Sequence, residues 1–375
     1  MIVSRVIGSG LSVGASVIGQ RFRTLHRGSG GRAVCLMVFS LILISSFGQQ
    51  LIAVGPESSA AAHEFFSADD PRVAPAKTSS AVPISPISPE EAAPTEDSAF
   101  KINVADVLML LLAAVFLVVI VQKQWFRLDR LPRPPGLADP LVLLVLFLLG
   151  LALAAIGMMV SAQVFGIEHT AEREVGFTLV EQSQLMLGMY LAQSIVLVAF
   201  AFLLLRARSP QPDRRSSWAQ AALVGGVALV LIWPLMSVAG FFAGGVAQFL
   251  TGDRPDPVAH ETLRRLLEEP WSPAYVAMVI GVVLIAPIVE EVLYRGLLQR
   301  ALRGFGIGPW PAVIATSAAF ALMHLGSADV HALAALFVLS LAFGWAYERT
   351  GRLIAPVLMH ILFNAGNLAL ALTLA

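Results

Sequence analysis

Only one cysteine, Cys35, occurs in 375 residues. That excludes a disulfide framework and any zinc site built from thiolates. Lying in an apolar segment, Cys35 reads as a small buried filler. Charge is scarce as well. Lys, Arg, Asp and Glu make up 13% of the chain, against roughly 25% in a soluble domain, while 57% of the residues are hydrophobic. Neither sign is in excess: 25 basic residues face 25 acidic ones, which argues against nucleic acid as a partner. Familiar hydrolase signatures are missing too. There is no G-x-S-x-G nucleophile elbow. His63-Glu64 and His260-Glu261 begin like a zinc-binding H-E-x-x-H, but Ser67 and Arg264 stand where the second histidine belongs. No aspartate lies deep in an apolar run, which disfavours an aspartyl dyad. His26, His169 and His331 fall near loops and read as surface residues. What these absences leave is an all-α, polytopic membrane protein.

Apolar runs organise the chain. Residues 1–32 are basic, with Arg5, Arg21, Arg23, Arg27 and Arg32, and Ala33 to Val54 is an apolar stretch long enough to span. A positive segment before such a stretch is a signal peptide or an uncleaved signal anchor, so 1–54 is assigned as one or the other. Residues 55–102 are rich in Pro, Ala, Ser and Glu and bury too little apolar surface to offset ordering entropy. They are expected to form a disordered linker. From Val104, spans recur at about 104–122, 140–165, 184–205, 218–250, 274–299, 309–326, 330–347 and 353–373, giving eight or nine crossings in all. Alternate loops are basic: Lys123, Arg127, Arg130 and Arg133; Arg206, Arg208, Arg214 and Arg215; Arg300 and Arg303; Arg349 and Arg352. The loop at 166–183 is acidic instead, with Glu168, Glu172, Glu174 and Glu181. The positive-inside rule makes the basic set cytoplasmic, in what is expected to be a bacterial inner membrane.

Against this background one hexapeptide stands out. Glu290-Glu291-Val292-Leu293-Tyr294-Arg295 follows an uncharged run from Ala274 to Val289. Each ionisable group in hydrocarbon costs roughly 2.5–3.5 kcal/mol on insertion scales, and spanning a bilayer requires none of them. Glu291 and Arg295 are spaced i, i+4 with the acid first, a pairing geometry. Glu290 is rotated about 100° away and is left without that partner, as a general base requires. Pro287 removes a backbone donor and makes room for a kink. Snorkelling does not account for Glu290, which lies about ten residues, or about 15 Å, from the cytoplasmic end at 1.5 Å per residue. Two later segments add histidines, each with a neighbour one turn away on the same face: Phe320 with His324, and His360 with Asn364. Two polar side chains stacked on an apolar helix can donate to one point, as an oxyanion hole requires. Helical rise puts His324 at about 20 Å, His360 at about 10 Å and Asn364 at about 17 Å from that end, so all four can share one layer.

E-E-x-x-x-R (Glu290, Glu291, Arg295), F-x-x-x-H (Phe320, His324) and H-x-x-x-N (His360, Asn364) in this order resemble the CPBP family, which includes the CAAX-prenyl endopeptidases and the bacterial Abi-type membrane proteins. The resemblance covers roughly residues 270–370. It implies a peptidase domain at 269–373, preceded by further transmembrane helices at 103–268, with its site opening towards the cytoplasm. It further implies that Glu290 and His324 activate a water and that His360 and Asn364 stabilise the oxyanion. Glu291 and Arg295 would hold the helix in place, with Phe320 as support. No cofactor is required on that reading. Family members have also been described as metalloproteases, and Glu290, His324 and His360 offer three zinc ligands, with Glu291 then the candidate base. The implied substrate is a membrane-associated peptide. Two rivals are a silent peptide-binding or bacteriocin-immunity protein and a transporter, because intramembrane acids and histidines also build proton relays. The first half holds no second E-E-x-x-x-R, so the internal repeat common in transporters is not evident.

Overall fold

The structure is a computed structural model; it describes residues 104–128, 138–167, 177–206, 216–252, 261–268, 271–325 and 327–374. The anchor expected at 33–54 and the linker at 55–102 lie outside the described residues. Within them every regular element is helical: α1 (Val104–Gln122), α2 (Pro140–Phe165), α3 (Leu179–Arg206), α4 (Trp218–Thr251), α5 (Glu261–Glu268), α6 (Pro273–Gly304), α7 (Pro309–Leu322), α8 (Val330–Thr350) and α9 (Ile354–Leu374). Seven of these are long and apolar enough to cross a membrane. The chain is an integral membrane protein.

Helix boundaries follow local chemistry. Asp139 caps α2 through its carboxylate and the Leu141 N–H, with Pro140 in the first turn where its missing donor costs nothing. Ser217 and Gln220 close a reciprocal capping box on α4. Ser272 caps α6 ahead of Pro273. α3 begins five residues before the expected position because Thr178 and Glu181 also form such a box: Thr178 N–H donates to Glu181 Oε2 at 2.8 Å and Glu181 N–H to Thr178 Oγ1 at 3.2 Å. Glu181 is therefore helical rather than part of an acidic loop. The connection between the spans expected at 218–250 and 274–299 carries the short helix α5, whose Leu266 is buried beside Leu179, Tyr275 and Met278.

The segment expected to span at 309–326 holds a helix too short to make the crossing by itself. α7 has 14 residues, about 21 Å at 1.5 Å per residue, against a hydrocarbon core of about 30 Å. The polar run Ser327-Ala328-Asp329 turns the chain early, and Ser327 and Ala328 both direct backbone N–H groups to the His324 carbonyl.

α6 is the central rod. Every residue from Glu291 to Gln299 is buried, against Leu143, Leu144, Phe147 and Leu151 of α2, Val196 and Phe200 of α3, and Ala312, Ala319 and Phe320 of α7. A second cluster joins α4, α8 and α9 through residues such as Leu229, Met236, Leu339, Phe343 and Met359. α2 and α3 cross where Gly157 and Gly188 meet; a Cβ on either would collide with the other's carbonyl oxygen. Close approach of small residues is how helices associate in lipid, where burial from water supplies no drive.

Candidate active site

Two π-helical segments, Gly281–Ile285 and Val292–Gln299, flank Ala286–Glu291 within α6. Such widened turns recur at functional sites, and here one has a traceable cause. The Ala286 N–H is drawn to the Gly281 carbonyl, and Pro287 has no N–H to offer. The Val282 carbonyl is thereby left without a donor from its own helix. Asn364 supplies one from α9, its Nδ2 donating to Val282 O at 2.8 Å. One of Asn364's two amide hydrogens is thus committed to the backbone, and the other remains.

Glu291 and Arg295 are both fully buried and joined at 2.8 Å. Glu291 Oε1 also accepts from His360 Nδ1 at 3.1 Å. An ionised carboxylate can only accept, so Nδ1 carries the hydrogen and Nε2 turns outward. His360 Nε2 faces Glu290 Oε2 at 3.9 Å. The two adjacent glutamates, which point different ways on their helix, therefore meet opposite edges of one imidazole. Glu290 keeps 25% of its side chain exposed, yet its Oε2 is buried and has no hydrogen-bond partner. Buried polar atoms are seldom left unsatisfied, because each costs about 1–3 kcal/mol or more; this oxygen is an exception that calls for a reason.

His324 lies in the turn just beyond α7, not within a helix. Its Nδ1 sits 2.9 Å from the Phe320 carbonyl. A carbonyl also only accepts, so Nδ1 is again the donor and the lone pair of the neutral ring is on Nε2. Phe320 stands between the two histidines, its centroid 4.8 Å from the His324 ring and 5.7 Å from the His360 ring. The residues singled out from sequence thus gather around two rings: Glu290, Glu291 and Arg295 at His360, Phe320 between His360 and His324, and Asn364 one turn beyond His360 on α9 at the Val282 carbonyl.

The zinc alternative needs three donors around one point. Glu290 and His360 offer two, 3.9 Å apart, but among the described residues no three His, Cys, Asp or Glu side chains group as a metal site. As arranged, Glu290, His324 and His360 do not fit a three-ligand zinc centre.

Residues 271–366, which hold all of these side chains, match the family model for type II CAAX prenyl endopeptidase Rce1-like proteins. The C-terminal region is thus similar to Rce1-like proteins. The chain is also similar to an uncharacterized 24.3 kDa protein of Escherichia coli, at 28% identity over 117 residues, covering 31% of this chain and 54% of that relative. It thus spans about half the length of the curated relative it matches. No solved structure matches the chain.

Sequence reasoning overlooked one part of this site. Arg295 Nη2 donates to the carbonyl and to Oγ of Ser340 on α8, and Phe343, one turn on, stacks on His360 with centroids 5.0 Å apart. A serine inside the apolar run Phe337-Val338-Leu339-Ser340-Leu341 was the available signal. A lone hydroxyl in a span usually bonds its own helix, so it did not stand out.

Proposed function

We propose that the chain is an intramembrane endopeptidase that hydrolyses a peptide bond of a membrane-associated substrate with water activated by Glu290. The observation that carries this reading is the unpaired, buried Oε2 of Glu290 facing His360 at membrane depth. A desolvated acceptor with no protein donor is suited to hold a water and take its proton. The Rce1-like match at 271–366 supports the same reading, and we take 269–373 as the peptidase domain, with 103–268 as accessory helices.

In this mechanism the water lies between Glu290 and His324 Nε2. Its oxygen attacks the scissile carbonyl carbon while its proton passes to the Glu290 carboxylate. The negative charge that develops on the carbonyl oxygen is met by the second amide hydrogen of Asn364 and by His360 Nε2 when that atom is protonated. Collapse breaks the C–N bond, and Glu290 returns the proton to the leaving amine. Glu291, Arg295 and Phe320 orient the rings and touch no reacting atom.

Arg127, Arg206, Arg300, Arg303, Arg349 and Arg352 mark one end of the bundle, which supports a site opening to the cytoplasm across a bacterial inner membrane. The test is cleavage of a membrane-anchored peptide by the full chain in detergent micelles, beside Glu290→Gln. The near-isosteric amide keeps the shape and removes the base. A loss of about 10²–10⁴-fold is expected. Undiminished cleavage by Glu290→Gln overturns the reading and favours a silent peptide-binding protein.

A further inference from the structure

We propose that Ser340 of α8 is a positioning residue for His360, acting through Arg295 and Glu291; this rests on the peptidase reading above. The connection is continuous. Ser340 is fully buried and accepts from Arg295 Nη2 at both its carbonyl, 3.0 Å, and its hydroxyl oxygen. Arg295 Nη1 donates to Glu291 Oε1 at 2.8 Å, the same oxygen that receives His360 Nδ1 at 3.1 Å. His360 Nε2 then faces Glu290. Four side chains from three helices thus fix which imidazole nitrogen points at the candidate base.

The arginine depends on Ser340. Its Nε is already buried with no partner, so the guanidinium is short of acceptors where water is scarce. Its faces are held by the rings of Phe320 and Phe343, each 5.1 Å from Cζ, with the Tyr294 ring at 6.0 Å. These contacts act along the ring normals and do not set rotation within the guanidinium plane. The Ser340 oxygens do. Remove the hydroxyl, and Arg295 keeps its charge and its cage but loses one in-plane restraint, so Glu291 is shared less firmly with His360. A partner that holds the second nitrogen of a working histidine chooses its tautomer and ring angle.

Phe343 supports the same ring from the same helix. It stacks on His360 with an interplanar angle of 30°, and a residue spaced i, i+3 from Ser340 lies on the same face. α8 therefore supports the imidazole by one polar and one aromatic contact. Neither belongs to the three motifs.

The test uses the full chain labelled with ¹⁵N-histidine in micelles, with His360→Ala identifying the His360 signals. Spectra are recorded at a pH at which the ring is neutral. The wild type is expected to show a single Nδ1–H tautomer for His360, and Ser340→Ala a mixture of both. In the cleavage assay Ser340→Ala is expected to lower kcat by about tenfold, the scale of a modest misplacement of a catalytic group, with KM unchanged. Ser317→Ala on α7 is the control, since Ser317 is equally buried but has no hydrogen-bond partner; it is expected to change neither. A single Nδ1–H tautomer retained in Ser340→Ala overturns the proposal. So does an equal effect of Ser317→Ala, or loss of folded Ser340→Ala from the membrane fraction, which assigns Ser340 to packing alone. Failure of the wild type to cleave, or full activity of Glu290→Gln, counts against the peptidase reading, while the tautomer comparison still decides the role of Ser340.

Discussion

α1 and α6 are both apolar rods long enough to cross a bilayer, and they have little else in common. In α1 only Ala113 and Phe116 of 19 residues are buried, and most of the large side chains, such as Val104, Leu111 and Val115, are exposed. In α6 the stretch Glu291 to Gln299 is buried all round and includes a glutamate, an arginine and a glutamine. α1 packs against α4 and is tied at one end, where the indole N–H groups of Trp345 and Trp310 donate to the carbonyls of Trp125 and Phe126 just past its last turn. Hydropathy identifies both helices as spans and does not tell them apart. The difference lies in what each must satisfy: α1 meets lipid, which asks only for apolar surface, whereas α6 is enclosed by other helices, which must supply partners for most of its buried polar atoms.

Arg295→Ala tests that contrast most severely. It leaves the Glu291 carboxylate buried without its cation, and a loss of about 3–5 kcal/mol is expected, read as a lowered denaturant midpoint in mixed micelles. A change below about 1 kcal/mol would mean that α6 tolerates unpaired charge much as an exposed helix does. Asn364→Leu keeps the volume but removes the donor to Val282 O. About 1–3 kcal/mol is expected to be lost in the same measurement, and no loss would show that the widened turn above Pro287 needs no support from α9. The smallest effect belongs to α1. Leu111 is 61% exposed, so Leu111→Ala is expected to shift stability by no more than about 0.5 kcal/mol. A larger loss would mean that this face is covered by something other than lipid.

How far the sequence could be read follows the same division. Apolar length located α1, α2, α4, α8 and α9 to within about three residues at each end, because lipid contact is a property of composition. Charge within an apolar run picked out Glu290, Glu291 and Arg295, and residues one turn apart picked out Phe320 with His324 and His360 with Asn364. What could not be read depends on neighbours. The pairing of Glu290 and Glu291 with opposite edges of His360 arises between α6 and α9, and helical rotation alone placed the two acids apart. Asn364 was expected to stabilise a developing oxyanion together with His360. Its tie to Val282 O arises from a carbonyl orphaned by Pro287, visible only once the helix is seen to widen there. Ser340 was missed because a hydroxyl among Val, Leu and Phe carries no spacing signal until Arg295 arrives from another helix. The buried set of Gln299, Arg303 and Glu348, with Gln299 Nε2 bonded to Glu348 Oε1 at 3.0 Å, likewise forms only between α6 and α8.

The early end of α7 bears on what surrounds His324. Backbone that leaves the helix at Leu322 does so after about 21 Å of rise, less than a full crossing of about 30 Å, and peptide groups within the hydrocarbon layer persist only beneath neighbouring protein or beside solvent. His324, half-buried in that bend, therefore sits where the chain needs protein or water around it rather than lipid.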